Sequence, residues 1–268
     1  MHAAHWKNAM HEAWAFITHR VKCQSAHDIH SPFVFGLITD TLSPQRFFDV
    51  FSEIENERTS FLNNHSLLEV LDFGAGSRTG SNRQRRISEI AAHALQPPSS
   101  AQLIFRLVNY LQPATILELG TSLGITTAYM ASACKSARLI SIEGAESVAA
   151  CARQVADRLG LKNVCILSGS FEDQLPGVLN DARKVDFALV DGNHRYEPTM
   201  RYFTQIMDHV SSGACLIFDD IHWSAEMEKA WNEIVSDRRV SLSIDFFDFG
   251  IIFLDPRFTK ERLMLPIP

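Results

Sequence analysis

From Ala114 to Gly144 the chain reads ATILELGTSLGITTAYMASACKSARLISIEG, short apolar runs separated by small polar turns. Ile116, Leu117 and Leu119 predict a strand over 115–119. The small residues Gly120 to Gly124 predict a turn into a helix over 124–134, and Leu139 to Ile142 predict a second strand that ends at Glu143. The same alternation continues to the C-terminus. Further strands are expected at 163–167, 185–191, 213–219, 241–247 and 249–254, with helices at 146–160, 172–180, 197–210 and 224–237. Strands alternating with helices of this length predict an α/β fold, a doubly wound, mainly parallel seven-stranded sheet covered on both faces. The last two strands lie too close for a crossover helix. Asp248-Phe249-Gly250 between them predicts an antiparallel C-terminal hairpin.

The pattern before Pro113 is of another kind. Trp6, Met10, Ala13, Trp14, Ile17 and Val21 recur at helical spacing, so residues 1 to about 22 are expected to form an amphipathic helix. Its apolar face suits packing onto the protein's own body or onto a second copy, giving a homodimer, better than a membrane surface. His30-Ser31-Pro32-Phe33 marks a second helix start, with Ser31 as N-cap and Pro32 at the first helical position, running to about Leu42. His30 is read as a packing or capping residue. Leu67 to Phe73 leads into a second glycine-rich turn, Gly74 to Gly80, followed by polar and basic residues and no strand ending in an acid. That turn is read as a loop over the site or a basic docking surface. Gln96 to Ser100 breaks the chain before a helix over 101–111, which Pro113 ends. Residues 1–112 are therefore an N-terminal helical or lid segment, and 113–268 the sheet domain.

Composition narrows the partners. The 268 residues are 46% hydrophobic and 21% charged, with a formal net charge of −6 and no long basic run. Nucleic acid is disfavoured and a small molecule fits better. The five cysteines are scattered without a CxxC pair, which suits reduced thiols in the cytoplasm. No apolar stretch approaches the roughly 18 residues of a membrane span, and charged and imidazole side chains interrupt the N-terminal helix.

Strand, glycine turn, helix, strand, acid is an order that builds a nucleoside pocket. Small turn residues admit a ligand near a helix N-terminus, and the later carboxylate can grip a ribose diol. Five pieces in sequence carry a resemblance: Glu118-Leu-Gly-Thr-Ser-Leu-Gly124, Ile142-Glu143-Gly144, Gly169-Ser170-Phe171-Glu172, Val190-Asp191-Gly-Asn-His194-Arg-Tyr196-Glu197 and Phe218-Asp219-Asp220-Ile221. Residues 113–254 resemble class I S-adenosylmethionine-dependent methyltransferases, most closely the small-molecule O-methyltransferases related to catechol O-methyltransferase. His30 to Phe33 and Asp72 to Ser77 resemble an uncharacterised bacterial subgroup.

The resemblance implies S-adenosylmethionine as cofactor and a small hydroxylated acceptor. Glu118 and Gly120, Thr121, Ser122 and Gly124 would line its methionine part, Glu143 would accept both ribose hydroxyls, and Ser170 and Phe171 would border the adenine. Asp191 would stand beside the sulfonium and the acceptor. Each has a plainer reading: Glu118 as a helix cap, Glu143 as a solvated strand end, Phe171 as packing.

Asp191, His194, Asp219 and Asp220 all fall at C-terminal strand ends, where open α/β sheets bind ligands. Crowding them together is costly without a cation or a polar substrate. Either Asp191, Asp219 and Asp220 bind Mg²⁺ or another divalent cation that acidifies the acceptor hydroxyl, or His194 acts as general base. A third reading of His194 is a turn residue bonded to its own loop. Tyr196, His222 and Trp223 are expected to wall the acceptor. Two other functions remain open on sequence, an NAD-dependent oxidoreductase and a non-catalytic cofactor-binding protein. The turn lacks a full GxGxxG, and the hairpin does not fit the oxidoreductase.

Overall fold

Every apolar run expected after Pro113 is a strand in the computed structural model, which describes residues 2–24, 32–41, 46–70, 84–182 and 184–266, with the backbone alone at 2–7, 9, 32, 33 and 40. The chain begins with α1 (His2–Lys22), α2 (Pro32–Gly36), a π-helical turn at Leu37–Thr41 and α3 (Val50–Leu62). A short antiparallel pair, β1 (Leu67–Glu69) and β2 (Gln84–Arg86), leads to α4 (Ile87–Ala94) and α5 (Pro98–Leu111). The alternating part follows as β3 (Thr115–Leu119), α6 (Ile125–Ala133), β4 (Arg138–Glu143), α7 (Glu146–Arg158), β5 (Val164–Ser168) and α8 (Phe171–Ala182). It continues as β6 (Val185–Val190), α9 (Tyr196–Met207), β7 (Val210–Asp219), α10 (Ala225–Ser236), β8 (Leu242–Asp245), β9 (Phe249–Phe253) and β10 (Glu261–Met264). His30, Ser31 and the Gly74–Gly80 turn lie outside the described residues.

Contacts gather the chain into two units, Met1–Gly36 with Lys184–Ile267, and Leu37–Arg183. The expected boundary at 112/113 falls inside the second of these.

In the Leu37–Arg183 unit, β3, β4 and β5 are parallel neighbours, with Glu118 opposite Ser141 and Ile142 opposite Leu167. Helix α5 starts at Pro98, where a missing N–H costs nothing. It ends at Gln112, whose left-handed φ of 47° lets its N–H reach the Val108 carbonyl. The rings of Phe51, Phe105 and Tyr129 meet edge-on, 4.9 Å between Phe51 and Phe105 and 5.4 Å between Phe51 and Tyr129. Burying each such ring stabilises by about 1.5–3 kcal/mol. Helices α3 and α4 were not expected from the sequence. The signal was present in α3, where the buried residues Phe51, Ile54, Arg58 and Phe61 repeat at helical spacing.

In the other unit the strand order is β10-β8-β9-β7-β6. Strands β6 and β7 run parallel, while β9 is antiparallel to both β7 and β8, which is the expected C-terminal hairpin. An eighth strand was not foreseen: β10 pairs in parallel with β8, so the count exceeds the expected seven. A Cβ at Gly250 of β9 would collide with the Trp231 ring, 2.6 Å from its Cζ2, so the indole lies directly against the strand.

Helix α1 corrects one expectation. Its apolar stripe does not pack on the protein's own body: Met10 is 72% exposed, Trp14 71%, Ile17 56% and Val21 81%. The buried positions are Ala15 and His19, on another face. The Nε2 of His19 donates to the Asp245 carbonyl oxygen at 3.1 Å and lies 3.2 Å from its Oδ1, while Phe16 meets Phe247 edge-on at 5.1 Å. A buried imidazole with a carboxylate partner has decided the helix's rotation over apolar periodicity. The side chain of Trp6 lies outside the described residues. Among the described residues, no helix is long and apolar enough to cross a membrane.

Candidate active site

Three strand ends and the turn after β3 build the cradle in the Leu37–Arg183 unit. Strand β3 delivers Glu118 fully buried, and its Oε2 accepts from Thr127 Oγ1 at 2.6 Å and from Ser141 Oγ at 2.5 Å. Thr121 joins through a 2.5 Å hydrogen bond between its hydroxyl and that of Ser141. Hydroxyl donors of this kind are what a buried carboxylate requires. Glu118 thereby ties the turn to α6 and β4. Ser141 and Thr127 were missed in the sequence. A lone serine in the apolar run Leu139 to Ile142, in register with Glu118, was the available signal.

The turn itself is held open by conformation. Gly120 has φ 103° and Gly124 φ 83°, both in the left-handed region that favours glycine. At Gly124 a Cβ would stand 2.8 Å from the Cβ of Ala152, so this glycine permits the close approach of α7. Ser122 is also left-handed, φ 48°. Its Oγ is buried without a hydrogen-bond partner, a polar atom left over beside the cradle.

Glu143, at the end of β4, closes the cradle. Its Oε2 accepts the Ser122 N–H at 2.8 Å and its Oε1 accepts the Ala145 N–H at 3.0 Å. The turn and the acid thus face each other. An ionised carboxylate has about four acceptor sites, the kind of group that can accept from a diol. Ser170 has a second duty. It caps α8: its Oγ accepts the Asp173 N–H at 3.1 Å and donates to Asp173 Oδ2 at 2.7 Å. The hydroxyl proton is thereby committed within the protein. Phe171 opens α8 and is half-buried.

The acidic strand ends belong to the other unit. Asp191, His194 and Asp219 bring one ligand atom each within 4.8 Å of one another. His194 Nε2 lies 3.7 Å from Asp191 Oδ1, and its Nδ1 lies 3.7 Å from Asp220 Oδ2. His194, rather than the expected Asp220, therefore completes the triad with Asp191 and Asp219. Asp220 sits at φ 55°, and its carboxyl is held above the usual range. Burial is the main cause, with the Asp191 charge adding to it and His194 opposing it. The expected aromatic wall is only partly placed here. Tyr196 donates to Glu233 Oε2 at 2.7 Å, with Lys229 Nζ 3.9 Å from its ring centroid. His222 is buried, donating to Asp245 Oδ2 at 2.9 Å and stacked on Phe247 at 5.2 Å. Trp223 is half-buried.

Residues 117–221 match the family model described as a methyltransferase domain. Among curated proteins, a catechol O-methyltransferase of Niastella koreensis is 32% identical over 127 residues, covering 46% of this chain and 57% of that protein. The chain spans 36% and 57% of the lengths of the curated relatives it matches. Among solved structures, an O-methyltransferase from Bacillus cereus in complex with SAH superposes with a TM-score of 0.56 at 16% identity, covering 86% of this chain and all (100%) of that one. TomG from Streptomyces achromogenes, an O-methyltransferase involved in tomaymycin synthesis and solved with SAM, gives 0.57 at 17% identity, covering 87% and 99%. At such identities the likeness is one of fold. Residues 117–221 are thus similar to a methyltransferase domain, and the fold is similar to that of solved O-methyltransferases.

Proposed function

We propose that this protein transfers the methyl group of S-adenosylmethionine to a hydroxyl oxygen of a small acceptor. The observation that carries the reading is the Glu143–Ser122 hydrogen bond at 2.8 Å. It places a carboxylate beside a turn whose Ser122 Oγ has no partner among the described residues, a setting for a ribose diol and a polar amino-acid tail. Glu118 acts here as the support of the turn, and Gly120 to Ser122 offer backbone groups at close approach. Ser170 and Phe171 would border the base, Ser170 as an acceptor only.

Methyl transfer needs an unprotonated acceptor oxygen held in line with the sulfonium. We assign that task to the strand ends carrying Asp191, His194 and Asp219. Two carboxylates and an imidazole fit a divalent ion. The imidazole favours a first-row ion such as Mn²⁺, Fe²⁺ or Zn²⁺ over the all-oxygen preference of Mg²⁺. When bound, such an ion would lower the acceptor hydroxyl's pKa and orient it. A metal-free reading is favoured by one geometric fact: His194 presents a nitrogen to each of two carboxylates at 3.7 Å. An imidazole so placed can accept the hydroxyl proton as general base. Activity undiminished by EDTA selects the second route.

The exposed α1 stripe supports self-association as a homodimer. Five free cysteines suit a reducing compartment, the cytoplasm. Calorimetric titration with S-adenosylhomocysteine and with NAD tests the cofactor. Binding of NAD alone would transfer the protein to the oxidoreductases, and S-adenosylhomocysteine binding without turnover on any hydroxylated acceptor would leave a non-catalytic binder.

A further inference from the structure

Arg106 of α5 is 3% exposed, yet its Nε and Nη1 are buried without a hydrogen-bond partner. Burial pulls its pKa down, with the Tyr129 phenol opposing the shift. A buried guanidinium left unpaired is costly, by several kcal/mol when a partner is missing. The side chain lines a cavity of about 170 Å³ with Thr41, Arg46, Phe48, Asn109 and Tyr110. Arg46 adds a second guanidinium, 5.8 Å from the Phe48 ring centroid. Hydroxyls and an amide complete the lining, and among the described residues no acid belongs to it. The cavity is smaller than the roughly 300–1,000 Å³ of a drug-sized ligand site.

We propose that this cavity binds a phosphate group, either free inorganic phosphate or the terminal phosphate of a small phosphomonoester. Two guanidiniums match a dianion, whereas a carboxylate would neutralise one of them. Arginine forks pair with tetrahedral oxyanions through parallel N–H donors, and the neutral donors at Thr41 and Asn109 suit its remaining oxygens. The site lies wholly within the Leu37–Arg183 unit and shares no residue with the cradle of Ser122 and Glu143. Its existence is independent of the methyltransferase reading.

Thermal shift and calorimetry on the full chain test it, with inorganic phosphate, methyl phosphate, acetate and chloride at equal ionic strength. Phosphate is expected to raise the melting temperature and to bind saturably, with acetate and chloride giving neither effect. Arg46→Ala, at an exposed position, should keep its fold and weaken phosphate binding at least tenfold. Arg106→Met, which removes the unpaired charge, should match or exceed the wild type's melting temperature without phosphate and lose the phosphate response. Binding of methyl phosphate as well as phosphate assigns the site to a phosphomonoester, and binding of inorganic phosphate alone assigns it to the free ion. A phosphate response that is absent, is equalled by acetate, or persists in both variants overturns the proposal.

Discussion

The carboxylate of Glu143 accepts the backbone N–H of Ser122 at 2.8 Å, joining the end of β4 to the turn after β3. Removing that carboxylate takes away both a turn anchor and the acceptor proposed for the ribose. Glu143→Ala is expected to weaken S-adenosylhomocysteine binding by about 1–3 kcal/mol, the scale of a lost hydrogen bond to a charged group. Isothermal titration measures this directly. Unchanged affinity would remove Glu143 from the cofactor site.

Gly124 tests the turn from the packing side. An alanine there must hold φ near 83° and meet Ala152 Cβ at 2.8 Å, a contact that backbone on both sides prevents from relaxing. Gly124→Ala should destabilise by about 1–3 kcal/mol through overpacking and strain, read as a lower denaturation midpoint. The paired variant Gly124→Ala/Ala152→Gly should recover only part of the loss, because the 152 methyl group is gone while the 2.9 Å approach to the residue-152 Cα and the strained φ remain.

The His19–Asp245 pair predicts a pH dependence. Burial alone would lower the His19 pKa, but the hydrogen bonds and charge of Asp245 outweigh it and raise it above 6.5. Burial alone would raise Asp245, but hydrogen bonds from His19 and His222 hold it well below the usual carboxylate range. The raised imidazole contributes stability in full below its unfolded value of about 6.5 and loses it as pH rises through the folded value. The depressed carboxylate contributes above its unfolded value of about 3.9 and loses it only as pH falls well below that. The difference in melting temperature between wild type and His19→Gln should therefore be largest between about pH 4 and 6.5. It should shrink toward alkaline pH. A constant difference across that range would mean the pair does not titrate as described.

Manganese separates the two sets of ligands. If Asp191, His194 and Asp219 hold the ion, Asp219→Asn and His194→Ala should each weaken Mn²⁺ binding at least tenfold, as second-shell changes alone already do in metal sites. Asp220→Asn should change it less. Electron paramagnetic resonance of free Mn²⁺ gives the affinities, and equal losses at Asp219 and Asp220 would restore the all-aspartate set.

The exposed stripe on α1 makes a prediction about assembly. Placing charge in its centre, Trp14→Lys with Ile17→Glu, should convert a dimer into a monomer by light scattering while leaving the melting temperature within a few degrees. A wild type that is already monomeric at high concentration removes that role.

The sequence made the strands legible where apolar runs were bounded by turn residues, from Thr115 to Phe253, because period and punctuation agreed there. It made the cradle legible through spacing: Ser122 and Glu143 meet because one helix and one strand separate them. What stayed hidden depended on partners distant in sequence. The rotation of α1 follows Asp245, more than two hundred residues away, and no local pattern carries that information. Strand β10 is short and its ERLM sequence lacks a clear alternation. The hydroxyl set around Glu118 comes from neighbours in register, which appears only once the strands are paired. The grouping of His194 with Asp191 and Asp219 likewise depends on how two loops meet in space, which spacing along the chain does not reveal.

The indole of Trp231 lying on Gly250 restricts how this sequence can drift. Any side chain at 250 requires a smaller ring at 231, and a smaller ring alone leaves a void over β9 costing a few kcal/mol. Neither substitution is tolerable first, so in distant copies of this fold the two positions should be inherited as a pair or exchanged as a pair.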